Sequence, residues 1–180
     1  ADIGEGVGKI FCISRYPSEL DYGWLSDIVN LPGAAATVEY RYSPEDIMIA
    51  QFNRRISELK SARETERKES EIQRYEHQIE DLKNLINRIS VKREPVGFFN
   101  VLLHIQDANE ELLAKRIRNI NSRVRIHECD MQFLKFKQRQ ALESMSPWGI
   151  PNAMVYNVGE RNMPMSTFVG GFPMAAAGLN

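Results

Sequence analysis

Residues 43–92 read SPEDIMIAQFNRRISELKSARETERKESEIQRYEHQIEDLKNLINRISVK. Ser43-Pro44-Glu45-Asp46 is a strong helix start, with Ser as cap and Pro at the first helical position. No Gly or Pro follows before Lys92. As one straight helix these roughly 48 residues would span about 70 Å. The strand that follows must return to the same core, so the sequence predicts a fold-back. Ile49, Phe52, Ile56 and Leu59 recur at 3-4 spacing, and so do Ile72, Tyr75, Ile79, Leu82, Ile86 and Ile89. Between the two stripes, Lys60–Glu71 carries only Ala62 as an apolar residue. Extending the first register lands on Arg63, Glu66, Ser70 and Gln73, out of phase with the second stripe. The expectation is an antiparallel helical hairpin over 44–92 with a polar tip near 62–70. That charged tip is either a solvated helix end or a docking knob centred on Arg63, Glu66, Arg67 and Lys68.

The flanks read as alternating strands and helices. Lys9–Tyr16 holds Ile10, Phe11, Cys12 and Ile13 and stops at Pro17, a strand. Ser18 can cap a helix carrying Leu20, Trp24, Leu25, Ile28 and Val29, ended by Pro32-Gly33. Ala35–Tyr42 alternates as a half-buried strand. After Pro95, Val96–Gln106 is the most apolar stretch and predicts a central strand. Asp107, with Glu110 in the capping-box position, opens a helix that buries Leu112, Leu113, Ile117, Ile120 and Val124. A short strand over Val124–Cys129, a helix over Met131–Ser146 and a strand over Ala153–Val158 complete the expectation. This order favours an α+β class: a two-layer sandwich of a mostly antiparallel sheet with helices on one face, plus the protruding hairpin. Residues 1–8 read as a flexible lead-in, 9–158 as a single domain with the hairpin inserted, and 159–180 as a connector.

Composition excludes extremes. The 180 residues carry a net charge of -1 and are 43% hydrophobic and 26% charged, ordinary globular material with no global basic or acidic bias. Cys12 and Cys129 read as two buried, reduced thiols. No apolar run approaches the ~20 residues of a membrane span. The chain opens Ala1-Asp2-Ile3 without an initiator Met, and its end, 161–173, is apolar, rich in Gly and Pro and nearly uncharged. Both ends therefore read as cut from a longer protein.

Catalytic signals are weak. Gly4, Gly6 and Gly8 have no preceding strand and no Gly-Lys-Ser/Thr after them, so they do not make a phosphate loop. His77 is expected to be exposed on the hairpin, and His104 to face away from its inward neighbours Leu103 and Ile105. His127-Glu128-Cys129 offers two ligands without a second pair to close a tetrahedral metal site. No Gly-x-Ser-x-Gly elbow is present. The one local bias lies at 115–139. Its cations are Lys115, Arg116, Arg118, Arg123, Arg125, Lys135, Lys137 and Arg139, against only Glu128 and Asp130. It reads as a solvated face, a contact for an acidic subunit, or a phosphate-binding patch. Exposed Phe133 and Phe136 would favour the last.

Three segments carry a resemblance. They are Ile3-Gly4-Glu5-Gly6 with Ile10–Pro17 and Trp24-Leu25; Val101–Ala108 with Glu110-Glu111-Leu112; and Arg161–Phe168 with Gly171-Phe172-Pro173. In this order and spacing the chain resembles the N-terminal domain of the large conjugation ATPase of type IV secretion systems, the TraC/TrbE/CagE type, in its Gram-positive form. The resemblance implies a RecA-like, ATP- and Mg-dependent motor domain beyond this chain, whose motifs are absent here. It implies no catalytic, cofactor-binding or metal residue at any position of this sequence. It implies instead a non-catalytic assembly domain that joins the motor to the membrane channel and aids DNA or protein transfer in conjugation. Its partners would be its own motor domain, other subunits and channel components, with possible DNA contact and no integral membrane span. Its place would be the cytoplasmic face of the inner membrane. Arg161, Met163, Phe168, Phe172 and Pro173 would form the connector to the motor. The alternative reading is a nucleic-acid-binding module using 115–139.

Overall fold

A computed structural model of the chain describes residues 2–3, 6–16 and 23–171. It is α+β, with helices packed against a mostly antiparallel sheet and a long helical hairpin between two of its strands. The chain forms two compact units. One holds the described residues up to Tyr40, Phe99–Arg161 and those from Thr167, and the other holds Arg41–Phe98 and Asn162–Ser166.

The first unit's part of the sheet is built on β2 (Gly6–Arg15) and β4 (Val96–Asp107, from Phe99 on in this unit), with β3 (Ala34–Tyr42, up to Tyr40 in this unit) beyond β4 and β1 (Asp2–Ile3) beyond β2. β2 and β4 are antiparallel, with Phe11 opposite Leu103 and Cys12 opposite Leu102. β5 (Asp130–Phe133) pairs antiparallel with β2, Phe11 opposite Phe133. Strand pairing begins at Asp2, with Asp2 opposite Val7 and Ile3 opposite Gly6, rather than after a lead-in ending at residue 8. β4 lies between β2 and β3, the central place its apolar run predicts.

Successive residues of β2 point to opposite faces, yet Ile10, Phe11, Cys12 and Ile13 are all buried. The cover therefore reaches both faces. Ile10 and Cys12 join Leu102, Leu134, Ala141 and Val155 in one core, which brings α5 (Gln138–Met145) and α6 (Ala153–Gly159) onto that face. On the other face Lys9 Nζ meets Glu110 Oε2 at 2.9 Å, at the start of α4 (Glu110–Ile126). α6 approaches β2 backbone to backbone, because a Cβ at Gly159 would stand 2.6 Å from the Ile13 carbonyl oxygen.

Several boundaries differ from expectation for local reasons. Asn109, not Asp107, caps α4, its Oδ1 accepting from the Leu112 N–H at 2.9 Å. The helix then runs through Val124 to Ile126, where a strand was expected, because Val124 continues the buried stripe of Leu113 and Ile120. The left-handed turn that ends it falls on Glu128, at φ 54. The helix expected over Met131–Ser146 gives up its first turn to β5 and starts at Gln138. Ala153–Val158 is helical, with Asn152 accepting from the Met154 N–H at 3.0 Å as its cap. Of the first expected helix, Ser18 and Leu20 lie outside the described residues, and the described part is α1 (Ser26–Val29).

The second unit is dominated by α2 (Glu45–Thr65) and α3 (Glu69–Ser90). Pro44, rather than Ser43, is the cap residue of α2. Near the tip Ile56 and Leu59 meet Ile79, with Tyr75, Leu82 and Ile86 around them. Near the base Met48 and Phe52 meet Ile89 and Val96. The reversed order of these partners is that of an antiparallel pair. Met48, not Ile49, is the fully buried first member of the α2 stripe. The second unit also contains most of β6 (Arg161–Pro164). The segment expected as a plain connector is thus ordered through β6 and α7 (Met165–Gly171).

Candidate docking surfaces

The hairpin tip is the first. α2 ends at Thr65, and Glu66 and Lys68 adopt extended backbone, so the reversal takes three residues. Glu66 Oε1 accepts from the Arg67 and Lys68 N–H groups at 2.8 and 3.1 Å, pairing donors that the start of α3 would leave open. Those bonds hold the Glu66 carboxyl below the usual carboxylate range. Arg63 reaches across to Glu76, Nη1 to Oε1, at 3.5 Å. Two of the four predicted tip residues, Arg63 and Glu66, therefore build the turn. Arg67 and Lys68 are exposed and, among the described residues, form no ion pair. The tip presents two free cations on a rigid frame.

The basic segment divides in the same way. Arg116 donates through Nε to Asp107 Oδ2 at 2.7 Å and through Nη1 to the Pro32 carbonyl at 2.9 Å. Its guanidinium fills the space a side chain at Gly33 would need, and Gly33 turns at φ 76. The Arg116 bond, more than any other contact, holds the Asp107 carboxyl low. Lys137 Nζ donates to the Met154 carbonyl at 2.8 Å, and Arg139 pairs with Glu143 at 3.0 Å. Lys135 lies over the Phe136 ring at 5.1 Å. What remains is on α4. Lys115, Arg118 and Arg125 are exposed, lie opposite the buried Leu113–Ile120–Val124 stripe at helical spacing, and have no ion-pair partner among the described residues; Arg123 is exposed on the flank.

Phe133 is half engaged, its ring tilted against Phe11 at 5.4 Å. Phe136 is 89% exposed and Trp148 80%. Leu142, Ile150 and Met154 are exposed nearby in sequence. Sequence reasoning missed Trp148, Ile150 and Met154. The readable signal was Pro147-Trp148-Gly149-Ile150-Pro151, where two prolines bracket apolar residues that neither helix nor strand can absorb.

The connector residues are also engaged. Arg161 donates to the Ser14 carbonyl at 2.5 Å, and Met163 is buried in β6. Phe168 stacks on Tyr40 at 4.9 Å and tilts against Phe99 at 5.8 Å. Trp24 and Tyr16 extend this aromatic cluster around Phe99. The Gly23 N–H donates to the Gly170 carbonyl at 3.0 Å, so α7 closes over it. Phe172 and Pro173 lie outside the described residues.

The titratable candidates are dispersed. His77 is exposed on α3. His104 points away from Leu103 and Ile105, as alternation predicts, but that face is covered too, and burial lowers its pKa. His127 Nε2 stands 3.5 Å from Asp27 Oδ2. Cys12 and Cys129 are buried free thiols, each pushed up to about 11 by burial. Among the described residues no three His, Cys, Asp or Glu side chains converge on a metal-sized site, and no helix is long and apolar enough to cross a membrane.

No known protein-family profile matches the chain. It is similar to an uncharacterized protein of Bacillus anthracis, pXO2-09, with 23% identity over 145 residues. The match covers 79% of this chain but only 22% of that relative, so the chain spans about a fifth of the length of the relative it matches.

Proposed function

We propose that this chain is a non-catalytic assembly domain of a conjugative type IV secretion ATPase, attaching an ATP- and Mg-dependent motor to the membrane channel complex at the inner face of the membrane and aiding DNA or protein transfer. The observation that carries the reading is the hairpin. An apolar seam from Met48 to Ile79 stiffens it, and its turn is built by Glu66 and the Arg63–Glu76 pair. It offers Arg67 and Lys68 to an acidic neighbour. The three resembling segments support it, as does a relative several times longer than this chain.

The test is recovery of the membrane complex with the full-length protein carrying Arg67→Glu and Lys68→Glu. Recovery should fall at least several-fold, while Glu80→Lys on the exposed flank of α3 leaves it intact. Undiminished recovery with the reversed tip would sink the docking role. ATP hydrolysis by the 180-residue chain alone would overturn the non-catalytic reading.

A second reading, nucleic-acid binding, is favoured by one observation, the exposed Lys115–Arg118–Arg125 stripe, which has no ion-pair partner among the described residues. Three or four phosphate contacts to single-stranded DNA give a log–log salt slope of about −2 to −3. Absence of binding at low salt removes this reading.

A further inference from the structure

Most of the exposed large apolar side chains described in the first unit are concentrated in one stretch of sequence, with Leu112, Ile126 and Val169 lying outside it. Phe133, Phe136, Leu142, Trp148, Ile150 and Met154 all fall between residues 133 and 154. Single exposed hydrophobes need no explanation, but a concentration of them does. Their segment is held together from within. Lys137 Nζ bonds the Met154 carbonyl at 2.8 Å, and Ser144 Oγ bonds the Ile150 carbonyl at 2.9 Å. The Ala141 N–H donates to the Lys137 carbonyl at 2.9 Å. Pro147 and Pro151 stiffen the backbone on either side of Trp148 and Ile150.

Phe136 sits at φ 62, in the left-handed region that bulky residues avoid. The strained backbone holds the ring out in solvent between Lys135 and Lys137. Residues 131–154 carry Lys135, Lys137 and Arg139 against Glu143, a local positive excess. An exposed Phe ring beside a Lys, as at Phe136 and Lys135, and an exposed Trp such as Trp148 fit both nucleobases and lipid headgroups. The aliphatic members decide between them. Leu142, Ile150 and Met154 have no ring to stack on a base, yet all gain by entering an apolar medium. Exposed Trp and Phe with flanking Lys is the composition of a surface that lies in a membrane interface.

We propose that the Lys135–Lys137 loop and the Pro147–Met154 segment insert into the headgroup layer of an anionic bilayer, with Phe136 and Trp148 as the anchors. This goes beyond the assembly reading and stands on the first unit alone.

The test uses the whole chain and vesicles of roughly equal phosphatidylglycerol and phosphatidylcholine. The chain should sediment with them, and acrylamide should lose access to Trp148, while the buried Trp24 is shielded throughout. Phe136→Ser with Trp148→Ser should weaken partitioning at least tenfold, and Lys135→Glu should weaken it several-fold. Both changes are at exposed sites, and an unchanged far-UV spectrum and melting temperature establish that the fold is kept. Lys115→Glu with Arg118→Glu should retain most of the binding. The proposal is overturned if wild-type chain ignores anionic vesicles, or binds pure phosphatidylcholine equally well. Equal loss in the Lys115/Arg118 variant also overturns it. So does transfer of the Phe136 and Trp148 dependence to an oligonucleotide or to self-association without vesicle binding.

Discussion

Ile79→Ala probes the seam on which the docking arm depends. Ile79 is buried on α3 against Ile56 and Leu59, with Tyr75, Leu82 and Ile86 partly buried around it. Truncation removes three carbons, about 2–2.5 kcal/mol of transfer free energy at about 0.8 kcal/mol each. A cavity term adds to this where neighbours cannot relax. Here Tyr75, Leu82 and Ile86 are only partly buried and can settle inward. The total should therefore fall at about 2–3 kcal/mol, in the lower half of the usual range for such truncations. Urea unfolding measures it, with hydrogen exchange to locate it. The loss should accelerate exchange in α2 and α3 while the amides of β2 and β4 are affected less. Glu80→Ala, one residue on but exposed, should change stability by under about 0.5 kcal/mol. A cost below about 0.5 kcal/mol for Ile79→Ala, or no change in α2 exchange, would refute the claim that this seam holds the hairpin together.

Other consequences follow from single contacts. Asn109→Ala removes the one side-chain cap of α4 and should cost about 1 kcal/mol, read by thermal melting; no change would mean the Leu112 N–H finds another acceptor. Arg116→Ala should let Asp107 return toward its ordinary range. The stability Asp107 contributes is present above its unfolded value of about 3.9 and lost as pH falls through its lower folded value. The wild type should therefore outlast the variant most clearly near neutral pH, with the gap closing in acid, measured as melting temperature against pH. Cys12 and Cys129, raised to about 11 by burial, should resist a thiol reagent at pH 8 in the folded chain and react on unfolding. Their contribution to stability is intact below the ordinary thiol value of about 8.5 and lost as the pH climbs toward about 11.

The hairpin was legible because its signal is long. Two 3-4 stripes out of phase across a charged interval can be satisfied only by a break, which the chain places at Glu66–Lys68. Short apolar runs were less informative. Val155-Tyr156 is compatible with either strand or helix, and the deciding group is the Asn152 cap, a local hydrogen bond rather than a pattern. At Val124–Cys129, β-branched residues suggest a strand, but the helix stripe overrides that preference. The break at Phe136 carries no sequence mark, since a left-handed turn there would ordinarily fall on Gly or Asn. The surfaces were legible only as composition. Which cations remain free is decided by tertiary partners such as Asp107, the Met154 carbonyl and Glu76, which sequence spacing does not place.

The measurement closest to the central proposal is site-specific photo-crosslinking from position 68. The full-length protein would carry a photoreactive residue in place of Lys68, irradiated in membranes that hold the transfer complex. A single predominant crosslink to another subunit or channel component, abolished by Arg67→Glu, is expected. No adduct from position 68, with equal or stronger adducts from His77 on the exposed side of α3, would contradict a docking tip.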